Sequence, residues 1–378
     1  MTDNNDLYSD IRPYNDEEIP LAINRLINDD EFINAIVNYR FANLAPWLRN
    51  MTSPLVKVYL KFKWAKLDSV DAVQQEVEKY LKQTLDATAT EVVFKGLDKL
   101  DPSSPYLFVS NHRDIAMDPA LVNYGLYKSK HRTVRIAIGD NLLKKPCATE
   151  LMRINKSFIV KRSVKGPREM MKALGTLSSY IKHSLDTGNS VWIAQREGRA
   201  KDGNDFTDPA ILKMFHVEGR KQKVPFADYA RGLKIVPVSI CYENDPCDIA
   251  KAKELFEKET KGGYEKGEFE DIESIVTGIV GRKDRIHVSF GDVIDQDFET
   301  PEALAAEIDR QIHCHYTLFP INKWAAGIED ESVTAQTKQH LADKLAQLPK
   351  GAEQYLIDSY ANPVKNRQHD IQQTEECA

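Results

Sequence analysis

The stretch Tyr106-Leu107-Phe108-Val109-Ser110-Asn111-His112-Arg113-Asp114-Ile115-Ala116-Met117-Asp118-Pro119-Ala120-Leu121-Val122 decides how this chain is read. Tyr106 to Val109 is a short apolar run of strand formers, which predicts a buried strand. Ser110 and Asn111 end it. Asp118-Pro119 reads as a helix N-cap followed by proline at the first helical position. Between strand and helix stand His112, Asp114 and Asp118. A histidine and carboxylates on such a loop are what a general base and its orienting partner need. Loops at the carboxyl ends of strands are also where open α/β sheets take their ligands. The same residues admit a plainer reading, in which His112 is a hydrogen-bonded loop residue and Asp118 only a cap.

Working outward, strands and helices alternate. Val92-Val93-Phe94 precedes the opening strand; strands are expected at 134–138, 158–160, 191–194, 233–241 and 286–290. Helices are expected at 168–184, 208–215, 301–314 and 329–349. This alternation predicts an α/β fold: a mixed, largely parallel sheet flanked by helices. Residues 17–90 carry apolar side chains at helical spacing, among them Leu21, Ile23, Ile27, Ile33, Ile36 and Val37, and predict an N-terminal helical region. The expected division is a disordered 1–16, helices over 17–90, an α/β domain over 91–328, a helical region over 329–361 and a disordered polar tail over 362–378. The charged segment 248–284 reads as an insertion or surface subdomain. No internal repeat is present.

The chain has 378 residues, 42% hydrophobic and 29% charged, with a formal net charge of −6. That balance describes a soluble globular protein and argues against nucleic acid as a partner. Five cysteines (147, 241, 247, 314 and 377) form no CxxC pair, which predicts free thiols in a reducing compartment and no structural zinc. His313-Cys314-His315 lacks further ligands at metal spacing, so no metal is expected. The acidic start has no apolar run of leader type, and no stretch is long and apolar enough to span a bilayer. The expected location is cytoplasmic, with a peripheral position on a membrane as an extension. In 55–67, Lys57, Lys61, Lys63 and Lys66 alternate with Tyr59, Phe62 and Trp64, a composition suited to an anionic lipid surface or to a helix packed on its own domain.

Three more strand ends carry polar residues. Phe158-Ile159-Val160 leads into Lys161-Arg162. Val191 to Ala194 leads into Gln195-Arg196-Glu197-Gly198-Arg199, whose arginines match phosphate oxygens. Val236-Pro237-Val238 puts proline in a strand, which implies an edge or irregular position. His112-Arg113-Asp114 also begins like a protein-kinase catalytic loop, but Pro119 stands where that loop needs asparagine, and no Gly-rich loop or Asp-Phe-Gly is present.

Taken in order, these blocks make residues 90–295 resemble the glycerolipid acyltransferase family, which includes lysophosphatidate and glycerol-3-phosphate acyltransferases. Asn111 and His112 match the family's Asn-His-x-x-x-x-Asp block. Arg162 matches the basic end of the second block, Glu197-Gly198 part of Pro-Glu-Gly-Thr-Arg, and Val236-Pro237-Val238 the fourth block. Phe290-Gly291-Asp292-Val293-Ile294 fits a late strand followed by Gly-x-x-Ile. The departures are specific. Five residues separate His112 from Asp118, so either Asp118 or Asp114 could be the working carboxylate. Arg196 replaces the usual proline, and the next arginine comes one place early at Arg199. The resemblance implies transfer of a fatty acyl group from a thioester of coenzyme A or acyl carrier protein, as co-substrate and without a cofactor, to a hydroxyl of a glycerophosphate-type lipid. His112 would be general base with Asp118 or Asp114. Lys161, Arg162, Arg196, Glu197, Gly198 and Arg199 would hold the acceptor. A non-catalytic lipid-surface binder on the same fold is the alternative.

Overall fold

The apolar runs do become strands: β1 (Ala89–Lys95), β2 (Leu107–Ser110), β3 (Arg135–Gly139), β4 (Ser157–Val160), β5 (Val191–Ala194), β6 (Ile235–Tyr242) and β7 (Asp284–Phe290). These come from a computed structural model that describes residues 6–41, 44–267 and 269–373. The helices are α1 (Ile19–Asn28), α2 (Asp30–Arg40), α3 (Pro46–Trp64), α4 (Val70–Thr88), α5 (Met117–Lys128), α6 (Pro146–Ile154), α7 (Pro167–Asp186) and α8 (Pro209–Lys221). They continue with α9 (Phe226–Gly232), α10 (Asp248–Thr260), α11 (Glu270–Val280), α12 (Pro301–His315), α13 (Pro320–Ala325), α14 (Ala335–Leu345) and α15 (Glu353–Gln373). The chain separates into two compact units, one drawn from 1–81 and 135–180, the other from 82–134 and 181–378.

In the first unit, α1, α2 and α3 close over a core of Ile19, Ile23, Leu26, Ile27, Ile33 and Leu60, with Val56 and Trp64 packed against it. This is the expected N-terminal helical region. β3 and β4 pair in parallel, from Ile136 opposite Ser157 to Gly139 opposite Val160. Residues 6–16 were expected to be disordered, but Ile11 is buried and its carbonyl accepts the Ile159 N–H at 2.9 Å. A single apolar anchor and one strand-like hydrogen bond outweigh the polar composition around them. Residues 1–5 lie outside the described residues.

In the second unit the strand order is β1-β7-β6-β2-β5. Only β6 and β7 run antiparallel within this set; the other neighbours are parallel. The fold is thus a mixed, mostly parallel sheet flanked by helices. β2 lies inside it with Leu107, Phe108, Val109 and Ser110 all fully buried, as expected of a strand that reads as an unbroken apolar run.

Pro237 was expected at an edge or irregular strand, yet β6 is interior and buried along its whole length. Within a strand, the N and C=O of one residue face the same neighbour. The carbonyls of Ile235 and Pro237 accept from Ile294 at 2.9 Å and Gly291 at 2.8 Å. The Pro237 nitrogen therefore faces the 291–294 segment. The β6–β7 pairing starts one residue later, at Val238 opposite Phe290, so no ladder hydrogen bond is lost.

The expected disordered tail is likewise corrected over 362–373, which continues α15; residues 374–378 lie outside the described residues. Asn362 and Val364 are buried there, and Asn362 Nδ2 donates to Asp202 O at 2.7 Å. Its amides are helix-packing groups, which composition alone counts as solvent-loving. Nor is 248–284 a detached surface piece. Asp248, at the start of α10, accepts from Lys344 of α14 and Tyr360 of α15, both at 2.6 Å. Cys147, Cys241 and Cys247 are free thiols, whereas Cys314 is disulfide-bonded, an exception to the expected free thiols. No helix among the described residues is long and apolar enough to cross a membrane.

Lys283 is fully buried just before β7, where Nζ donates to Ile279 O at 3.0 Å, Gly281 O at 2.8 Å and Thr88 Oγ1 at 3.2 Å. Burial pushes its ammonium down to about 8 from the usual 10.5. The unfolded chain then holds more protons than the folded one between those two values, so stability rises with pH across that window. The urea midpoint of the wild type should gain on that of Lys283→Met between pH 8 and 10.5. A constant difference would mean that the folded ammonium titrates normally.

Candidate active site

β2 ends because Asn111 takes over the ladder with its side chain. Asn111 Oδ1 accepts the Ile240 N–H at 2.8 Å, and its Nδ2 donates to Ile240 O at 3.0 Å, so the amide stands in for the next strand residue. This holds the backbone where it turns off the sheet, and His112 follows. His112 Nδ1 lies 2.8 Å from Asp118 Oδ2. Asp118 is fully buried and accepts three further hydrogen bonds. Arg113 N (2.6 Å) and Asp114 N (2.9 Å) donate to Oδ2, and the Tyr242 hydroxyl (2.8 Å) donates to Oδ1. A carboxylate surrounded by donors accepts only, so Nδ1 of His112 carries the proton and Nε2 holds the lone pair.

The expectation that Asp118 caps the helix is corrected. α5 begins at Met117, and Asp114 does the capping: its Oδ1 accepts from Ala116 N at 2.9 Å and Met117 N at 2.8 Å. Asp118 lies within the first turn, where its own N–H needs no helical partner and its carboxylate is free to turn back onto the loop. Burial, and then the nearby Asp118 charge, pushes the Asp114 carboxyl up. Of the two carboxylates left open by the sequence, Asp118 is the one on the imidazole.

The loop after β5 is tied to the same place at both ends. Gln195 N donates to Ser110 O, and Ala200 N to His112 O, each at 2.8 Å. Arg196, Glu197, Gly198 and Arg199 therefore form a short arch beside His112. Gly198 has φ +76°, a left-handed conformation that glycine adopts without penalty. Glu197 and Gly198 are exposed; Arg199 Nη2 reaches Ser274 Oγ of α11 at 3.4 Å. Trp192 stands edge-on to the His112 ring, 5.9 Å between centroids, with its indole N–H on Ser110 Oγ at 3.1 Å. Lys161 and Arg162 belong to the first unit, at the end of β4. There Asp140 Oδ1 accepts the Arg162 N–H at 3.1 Å, and both residues are exposed.

Several residues that hold this loop escaped the sequence reading. Tyr242 ends β6, beyond the Val-Pro-Val block, and its phenol is held well above the usual value by burial and then by Asp118 and Asp114, so it stays a donor. Arg113 is buried with Nη2 2.5 Å from Asp205 Oδ2, and its carbonyl accepts from Lys251 at 2.6 Å. At Gly278 of α11 a Cβ would fall 1.9 Å from Asp114 Oδ2, so glycine alone lets the helix lie on the loop. The one available signal was positional: Tyr242 stands at the carboxyl end of β6, and β6 runs parallel beside β2, the strand that leads into His112.

Residues 91–240 match the family model described as acyltransferase. The acyltransferase match begins within β1, takes in the His112–Asp118 loop, the 195–200 arch and β6 as far as Ile240, and stops two residues short of Tyr242. It supports an acyltransferase-type assignment for this region. No curated protein matches the chain. Among solved structures, the 1-acyl-sn-glycerophosphate (LPA) acyltransferase PlsC from Thermotoga maritima is similar, at 14% identity over 77% of this chain and 92% of that one, with a TM-score of 0.40.

Proposed function

We propose that this protein is an O-acyltransferase that moves a fatty acyl group from an acyl thioester to a hydroxyl of a glycerophosphate-type acceptor. The observation that carries this reading is the His112–Asp118 pair, with Nδ1 committed to a buried carboxylate at 2.8 Å. Nε2 of His112 takes the proton of the acceptor hydroxyl as its oxygen attacks the acyl carbon. The C–O bond forms, the C–S bond breaks, and the leaving thiolate recovers the proton from the imidazolium. Asp118 keeps the tautomer and offsets the imidazolium charge while it lasts. Arg196 or Arg199 holds the acceptor phosphate, and Glu197 and Gly198 line the hydroxyl end; the family resemblance assigns Lys161 and Arg162 to the acceptor as well. Holding both substrates together supplies much of the rate. The donor is a thioester of coenzyme A or acyl carrier protein.

The test is thiol release from acyl-coenzyme A with and without lysophosphatidate, with the ester product followed in parallel. Thiol release that depends on the acceptor and matches ester formation supports the proposal. Release without acceptor would make the protein a hydrolase, and no release with any acceptor would favour a lipid-surface binder. Arg162→Ala should raise KM for phosphorylated acceptors and spare phosphate-free ones; an equal effect on both would remove Arg162 from the phosphate site.

A further inference from the structure

From Phe32 to Leu67 the chain contains Arg40, Arg49, Lys57, Lys61, Lys63 and Lys66 and not one aspartate or glutamate, in a molecule whose net charge is −6. Most of that segment's second half is α3, which is apolar on two opposite faces. Val56, Leu60 and Trp64 pack into the core of the first unit. Met51, Leu55, Val58 and Phe62 do not: they are 66%, 70%, 65% and 85% exposed. At 3.6 residues per turn these four fall within an arc of roughly 60°, on the side away from Leu60, along roughly 16 Å of helix. Leu48 and Tyr59, also exposed, widen the stripe. A continuous row of large apolar side chains in water marks a contact surface.

We infer that this face of α3 docks on an anionic lipid surface. The charge distribution selects that occupant. Lys57 pairs with Asp30, and Lys63 with Glu76, so those two lysines are tied to the protein itself. Lys61, on α3 beside the stripe, and Lys66, two residues past the end of α3, are both exposed, so their stems can follow the apolar side chains into the interface while their ammonium groups meet lipid phosphates. A second copy of the chain would bring two acid-free cationic helices face to face, which repels. The depth fits an interfacial helix, whose apolar face enters about 5–10 Å. The contact is therefore made by Met51, Leu55, Val58 and Phe62 rather than by all four lysines and the three aromatics of 55–67 alike, since Trp64 belongs to the core.

The experiment is flotation of the full chain with phosphatidylcholine vesicles made with and without phosphatidylglycerol. Wild type should float with the anionic vesicles and lose binding as salt is raised. Leu55→Ser/Phe62→Ser should bind about tenfold or more weakly. Lys61→Glu/Lys66→Glu should lose the preference for anionic lipid, by about fivefold for each charge removed. These side chains are exposed, so both variants should melt like the wild type and turn over a water-soluble, short-chain acceptor at its rate. That soluble assay separates a failure of docking from a failure of the proposed chemistry. A wild type that floats with neither vesicle, or an apolar-stripe variant that floats undiminished, overturns the inference. So does a stable wild-type dimer that the stripe substitutions dissociate without changing flotation.

Discussion

His112→Ala is expected to lower kcat for acyl transfer by a factor of about 10²–10⁴ while the protein stays folded. The imidazole is 15% exposed where Asp118 is fully buried, and removing it leaves Asp118 with three other donors, so the buried carboxylate is not stranded. The neighbouring substitutions should fall into a definite order. Asp118→Asn can keep its oxygen on the two backbone N–H groups and turn its amide toward Tyr242. The geometry survives, but the charge that offsets the imidazolium does not, so kcat should drop nearly as far as in His112→Ala. Tyr242→Phe removes a single donor from that carboxylate. It should cost about 1.5–3 kcal/mol in urea unfolding and reduce kcat by less. Asp114→Asn keeps the oxygen that caps α5, so its kcat should stay close to wild type. Thiol release and ester formation measured on the four purified variants give the order directly. An Asp114→Asn enzyme more impaired than Asp118→Asn would contradict the hydrogen-bond pattern, and a folded, fully active His112→Ala protein would sink the mechanism.

What could be read from the sequence was local. An unbroken apolar run flanked by polar stops is enough to place β2, because a run of four strand formers is too short to make a helix, and once buried its backbone groups must pair with neighbouring strands. The choice between Asp114 and Asp118 was beyond that kind of reading. It turns on whether α5 starts at Met117 or after Asp118, a difference of two residues that only the hydrogen bonds of Asp114 decide. Pro237 misled for a related reason: the rule for proline assumes that both edges of an interior strand are in use, and here one edge gives way to the 291–294 segment at that residue. The polar tail misled because Asn362 bonds a backbone carbonyl 160 positions away in the chain. Arg113, Asp205 and Tyr242 share that property. Their partners are distant in sequence, so no spacing rule brings them together.

The largest expected loss of stability lies in one of these long-range pairs. Arg113 and Asp205 are both buried, and burial alone would work against the guanidinium charge; Asp205, and then Tyr316, more than restore it and hold Arg113 well above its usual value. Arg113→Met leaves Asp205 as an unpaired buried carboxylate and should cost about 3–5 kcal/mol in urea unfolding. Asp205→Leu should cost a similar amount by stranding the guanidinium. The double variant should recover most of the loss, since two apolar groups of matching size need no partner, and buried pairs replaced in this way are often neutral or better. Activity should not recover with stability. The Arg113 N–H bonds Asp118, and its carbonyl is held by Lys251, so the backbone that carries His112 is aligned by the same residue whose side chain reaches Asp205. A double variant that is stable but has low kcat would show that the ion pair sets the loop's position. One that regains both would show that Asn111, Asp118 and Lys251 hold the loop without it. Single variants that unfold like the wild type would mean that water reaches the pair and screens it, contrary to its burial.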